Sequence, residues 1–153
     1  MTCLLYGQKK FKIPELNWSG SLIRPEFGLD KPWLAPLAGY SDLTFRMLCR
    51  EYGASVCETE MVSAKGLMFN SPGTGGLLTS DIGDQPLVVQ LFGGEAEIMG
   101  EAVRILRTHG YNYFDCNFGC SVRKVMRQKA GAALLMDTDQ ALKIARAMIS
   151  ATH

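Results

Sequence analysis

The stretch Pro86-Leu87-Val88-Val89-Gln90-Leu91-Phe92-Gly93 does most to limit what this chain can fold into, because it is a continuous apolar run broken only by Gln90. A strand apolar on both faces belongs inside a parallel sheet covered by helices. The residues after it supply such a helix. Ile98, Met99, Ala102, Val103, Ile105 and Leu106 recur at helical spacing, with Glu95 and Glu97 near the start, Arg104 and Arg107 near the end and Gly110 beyond.

The same strand-then-helix pairing recurs along the chain. Residues 33–39 form a brief apolar run in which Pro36 is tolerable only near a strand end, and they read as a first buried strand. Ser41-Asp42 offers an N-cap, and Leu43, Phe45, Met47 and Leu48 with Arg46, Arg50 and Glu51 read as a helix stopped at Gly53. Residues 54–58 are the second strand. A weak helical turn around residues 63–69 and a Gly-rich loop at 71–76 come after it. Tyr111, Tyr113 and Phe114 are strand-favouring aromatics without helical spacing. Asp137-Thr138-Asp139 caps a last helix through Ala141, Ile144, Ala145 and Met148, expected to run on to the final residue. Residues 1–32, punctuated by Pro14, Gly20, Pro25, Gly28 and Pro32, read as a short hairpin.

The expected fold class is therefore α/β, with parallel strands and right-handed crossovers, in four βα units over residues 33–153 after that hairpin. Four units make either a small open sheet or the N-terminal half of a (β/α)8 barrel, which typically needs roughly 250 residues. A chain of 153 residues fits the half.

Composition excludes several classes of function. With 47% hydrophobic and 20% charged residues and a net charge of +1, no global field draws the chain to nucleic acid or to a membrane. Any such contact is local, and the basic loop carrying Arg123, Lys124, Arg127 and Lys129 is the candidate. Five cysteines without dense spacing point away from a disulfide scaffold and towards a reduced, cytoplasmic setting. No signal peptide and no apolar run of membrane-spanning length is read, so no membrane association is expected.

The chemistry concentrates between Tyr111 and Leu135. A strand end there leads into Asn117-Phe118-Gly119-Cys120 and then the basic loop, the position where parallel α/β sheets carry their sites. From the residues alone, Cys120 reads either as a reactive thiol or as an inert one. Gln90 is either a core amide satisfied within the protein or a ligand contact, and the basic loop is either a solvated face or a phosphate contact. Cys116 reads as core. It and Cys120 lack a second Cys or His pair, so no metal site is expected.

Residues 35–42 (APLAGYSD) with Phe45-Arg46, then Glu60-Met61-Val62-Ser63-Ala64, Val89-Gln90-Leu91-Phe92-Gly93 and Asn117-Phe118-Gly119-Cys120, together resemble the tRNA-dihydrouridine synthase family. These are flavin enzymes with a TIM-barrel catalytic domain. The resemblance implies FMN as cofactor, NADPH as reductant and uridine in tRNA as the substrate reduced to 5,6-dihydrouridine. It makes residues 33–153 a partial FMN-binding barrel. Pro36, Leu37 and Ala38 then look like the flavin-ring backbone contact, Gln90 like its amide partner and Asn117 like the asparagine near the uracil. Cys120 matches the catalytic cysteine, which gives a proton while flavin gives a hydride. Arg127 and Lys129 become candidate tRNA phosphate contacts. Ser121 stands where the family usually has proline. The family's later lysine and histidine, phosphate-binding segment and helical tRNA-binding domain have no counterpart in these 153 residues. A half barrel alone is expected to hold FMN weakly or not at all, to form no dihydrouridine, and to self-associate or pair with the other half. Two rival readings are another FMN barrel, such as one like dihydroorotate dehydrogenase, and a truncated remnant acting as a non-catalytic interaction module.

Overall fold

The structure is a computed structural model and describes residues 30–152. The expected N-terminal hairpin falls almost wholly outside the described residues.

The sheet is built around β4 (Leu87–Phe92), whose first five residues are all buried. One edge of β4 is shared by two short strands. β2 (Val56–Glu58) pairs Cys57 with Leu87 and Glu58 with Val88, and β3 (Val62–Ser63) pairs Val62 with Leu91 and Ser63 with Phe92. The other edge takes β5 (Tyr113–Cys116), in register from Val88–Tyr113 to Leu91–Cys116. β1 (Trp33–Leu34) lies outside β2. Every pairing is parallel. Taking β2 and β3 as one strand interrupted at residues 59–61, each strand neighbours the next in sequence. That is the α/β order of half a (β/α)8 barrel.

Two long helices cover one face. Helix α3 (Ala96–Thr108) buries Met99, Ala102, Val103 and Leu106, spaced at i, i+3, i+4 and i+7. Helix α5 (Thr138–Ser150) buries Ile144 and Met148 and packs against α3, where a Cβ on Gly100 would stand 3.2 Å from the Ala147 carbonyl oxygen. These side chains form one core with Leu87, Val89 and Leu91. Burial of each such side chain is worth about 1.5–3 kcal/mol as an upper bound. The caps fall where side-chain oxygens were available. Asp42 accepts from the Phe45 amide and Asp137 from the Gln140 amide.

Several expectations are corrected. β1 stops at Leu34 and is half-buried, and residues 35–40 form a turn in which the Tyr40 and Ser41 amides both donate to the Leu37 carbonyl. One strand neighbour among the described residues and an early turn leave it little to be buried against. The weak second helix is as expected: α2 (Ala64–Met68) starts at Ser63, whose side chain accepts from Gly66 N, and a 3-10 turn at Gly76–Leu78 follows. Helix α5 closes at Ser150 and passes into a turn. In α1 (Leu43–Glu51), the apolar positions are half-buried or exposed and the single fully buried residue is Arg46.

Among the described residues, no helix is long and apolar enough to cross a membrane.

Candidate active site

The C-terminal ends of the strands bring the expected site residues to one end of the sheet. Gln90 comes from the second half of β4, Asn117 and Cys120 from the loop after β5, and residues 36–38 from the turn after β1.

Gln90 is the hub. It is 7% exposed, and its amide is used at both ends: Nε2 donates to Asp115 Oδ2 at 2.6 Å, and Oε1 accepts from Asn117 Nδ2 at 2.9 Å. Its backbone N–H donates to Thr59 Oγ1 at 3.2 Å. Burying a lone amide in an apolar strand requires such partners, and here the protein supplies one for each end. A primary amide has a second hydrogen and a second lone pair, so each end retains one further position.

Asn117 organises the thiol loop. Its backbone N–H extends the pairing with β4 by donating to Leu91 O at 2.9 Å, and its Oδ1 accepts from Cys120 N at 2.9 Å and Gly119 N at 3.3 Å. One side chain therefore spans from the hub to the thiol. Cys120 and Cys116 are both half-buried and Cys57 is buried; burial pushes the Cys116 thiol up to about 12 and the Cys57 thiol up to about 11. Thiols held that high stay protonated and unreactive at neutral pH.

The basic loop is closed on itself behind the thiol. The Ala132 amide donates to the Cys120 carbonyl at 3.0 Å, and Val125 of the short helix α4 (Arg123–Met126) is 3% exposed beneath the loop. Gly131 sits at the closure with φ +61°. Arg123, Lys124, Arg127 and Lys129 are all exposed. The apolar stretch after Lys129 is divided: a 3-10 helix at Gly131–Met136 buries Leu134 but leaves Leu135 and Met136 exposed. The loop's backbone packs on Gly94, where a Cβ would stand 2.4 Å from Gln128 O.

The turn after β1 is held from two directions. Ser41 Oγ accepts from Leu37 N at 3.0 Å, and Glu60 Oε2 accepts from Gly39 N. No hydrogen bond among the described residues uses the backbone of Ala38.

Sequence reasoning missed the acids. Asp115 interrupts the apolar β5 opposite Gln90 in the parallel register, and that interruption was the available signal. Glu58 ends β2, its Oε2 is buried without a hydrogen-bond partner among the described residues, and burial followed by repulsion from Asp115 raises it from 4.5 to about 7. Glu58 and Asp115 line a cavity of about 410 Å³ together with Trp33, Val88, Tyr113 and, from the end of α5, Met148.

Residues 33–153 match the family described as dihydrouridine synthase (Dus). Over 118 residues the chain is 38% identical to a probable tRNA-dihydrouridine synthase of Rhizobium leguminosarum bv. phaseoli, covering 77% of this chain and 37% of that protein. It is 39% identical over 119 residues to tRNA-dihydrouridine synthase B of Pseudomonas syringae pv. tomato, covering 77% and 35%. A probable tRNA-dihydrouridine synthase of Aquifex aeolicus is 39% identical over 104 residues, covering 67% and 32%. The chain thus spans about a third of the length of these curated relatives. With the match running from β1 through α5 and taking in Gln90, Asn117 and Cys120, the chain belongs to the dihydrouridine synthase family.

Proposed function

We propose that this chain carries the flavin-facing and thiol-bearing half of the barrel of an enzyme that reduces uridine in tRNA to 5,6-dihydrouridine. The observation that carries the reading is the single run of hydrogen bonds from Asp115 through Gln90 and Asn117 to the backbone of Cys120. It couples an amide hub to the only half-exposed thiol on the loop after β5.

The residues present fit a flavin ring. The Ala38 backbone is unengaged, and Gln90 retains one donor and one acceptor position, matching the alternating carbonyls and ring nitrogens of an isoalloxazine. The phosphate end has its usual barrel site after strands seven and eight, which these strands do not include. When bound, FMN reduced by NADPH supplies a hydride to one carbon of the uracil C5=C6 bond. Pro36 and Ala38 would present backbone to the ring, with Leu37 shaping the turn through its own N–H and carbonyl, and Gln90 would orient it. Cys120 Sγ gives a proton to the other carbon and recovers it from solvent. Asn117 aims the thiol by holding the Cys120 N–H and keeps its proximity to the uracil edge. Arg127 and Lys129 contact tRNA phosphates from the exposed loop.

The experiment replaces the matching segment of the Pseudomonas syringae enzyme with residues 33–153 and measures dihydrouridine in tRNA. The parent chimera is expected to form it. Cys120→Ala should lower the rate by about 10²–10⁴-fold, the usual contribution of a general acid, while flavin reduction by NADPH persists. Undiminished dihydrouridine formation in Cys120→Ala would refute the role given to the thiol.

A further inference from the structure

We propose that Asp84, Arg46 and Ser41 form a buried chain of contacts that sets the turn at residues 36–40, so that Arg46 and Ser41 are positioning residues for the flavin face. The inference rests on the function proposed above and adds residues that none of its steps uses.

The three side chains are 0%, 1% and 0% exposed. Arg46 Nε and NH2 donate to Asp84 Oδ2 at 2.9 and 2.7 Å, NH2 also donates to Thr79 O at 2.7 Å, and NH1 donates to Ser41 O at 2.7 Å. Asp84 is itself steadied by Arg50 Nε at 3.1 Å on Oδ1 and Ser80 Oγ at 3.3 Å on Oδ2. Ser41 then holds both polar groups of Leu37: its Oγ accepts from Leu37 N at 3.0 Å and donates to Leu37 O at 3.2 Å. The carbonyl of Leu37 also closes the turn through Tyr40 N and Ser41 N, both at 2.9 Å. Leu37 is thereby spent on the protein, and the neighbouring Ala38 backbone is left for a ligand.

Stability alone does not account for this arrangement. A buried ion pair contributes little beyond what apolar side chains of the same volume would give, whereas this one ends on the backbone of the turn. A guanidinium also holds a carboxylate and two carbonyls in one rigid plane, which a lysine cannot do. Helix α1 fully buries no other residue, and the guanidinium it turns inward, anchored on Asp84 and Thr79, reaches the turn through the Ser41 carbonyl.

The test uses the whole chain with two readouts, hydrogen exchange at the 36–40 turn and FMN affinity by fluorescence. Ser41→Ala leaves the Asp84–Arg46 contact intact, so it is expected to fold. It should speed exchange of the Leu37 and Tyr40 amides with β4 unchanged, and weaken FMN roughly two- to twelve-fold, the span of one hydrogen bond. Arg46→Lys should loosen the same amides, and adding Ser41→Ala to it should weaken FMN no further, since both act on one contact chain. Ser41→Thr, which keeps the hydroxyl, should restore slow exchange. Unchanged exchange at the turn in Ser41→Ala, or additive losses of FMN affinity in the double variant, would overturn the inference. Affinity indifferent to Gln90→Leu would instead overturn the flavin reading, and in a parent chain that retains no FMN without the phosphate site, exchange at the turn decides the positioning role by itself.

Discussion

Gly131→Ala probes whether the thiol loop is held by the closure seen behind it. The magnitude has two parts. At φ +61° an L-residue costs about 1–2 kcal/mol, because its Cβ crowds the following carbonyl. The added Cβ would also stand 2.4 Å from Cys120 O and 2.9 Å from Val125 Cγ1. The carbonyl must retreat, and its hydrogen bond from Ala132 N, 3.0 Å long, is lost with it at about 0.5–1.5 kcal/mol. Together these come to about 1.5–3.5 kcal/mol, below the 5–15 kcal/mol stability of a typical domain, so the loop should open while the sheet stays folded. Gly73→Ala is the control: φ is +85° there and a Cβ would meet nothing within 4 Å, so it bears the backbone cost alone. Denaturant midpoints compare the two, and peptide mapping after iodoacetamide treatment reads each cysteine. Gly131→Ala should be the more destabilising and should alkylate faster at Cys120, with Cys57 and Cys116 still protected. Equal midpoints together with an unchanged Cys120 rate would show that the closure does not hold the thiol.

Three further outcomes are expected. Replacing Arg127 and Lys129 by Gln should flatten the slope of log tRNA affinity against log salt by about 1.4–1.8, two phosphate contacts' worth of counterion release, and an unchanged slope would return the loop to solvent. Gln90→Leu should lower FMN retention and also cost about 1–3 kcal/mol in urea unfolding, because Asp115 and Asn117 each lose a partner; a variant as stable as the parent would contradict the hub geometry. Glu58 has a folded pKa raised from 4.5 to about 7, so the folded state binds the extra proton and stability falls as pH rises from about 4.5 to 7. Glu58→Gln should therefore gain stability over the parent at pH 8 and lose that advantage at pH 4, and a pH-independent difference between the two would remove the burial argument.

The strands and long helices were legible because their signals are local and periodic. Leu87–Phe92 reads as a doubly buried strand from its own residues, and Met99, Ala102, Val103 and Leu106 declare the buried face of α3 without help from elsewhere. Caps at Asp42 and Asp137 were legible for the same reason: a carboxylate three residues before an amide is a short-range geometry. The apolar reading of residues 33–39 failed since burial depends on neighbours, and β1 has β2 on one side only among the described residues.

Within the site, the residues that could be named in advance are those that break a local pattern, Gln90 in an apolar strand and Cys120 after a glycine. The residues that could not be named are defined by partners far away in the chain. Arg46 looks like the polar side of α1 until Asp84, 38 positions later, folds against it. The exposure of Leu48 and the burial of Arg46 then follow together, because the helix turns its cation inward to meet that carboxylate. Asp115 is of the same kind: only the parallel register that sets it opposite Gln90 makes the acid an anchor for the amide. Gln90 was open to either reading from the residues alone, and since its two partners come from the chain, its burial by itself is no argument for flavin. What favours a ligand is the direction of the remaining capacity. One donor and one acceptor on Gln90 and an unengaged backbone at Ala38 stand at the same end of the sheet, and a half-exposed thiol stands beside them on a loop that Asn117 and Gly131 hold in place.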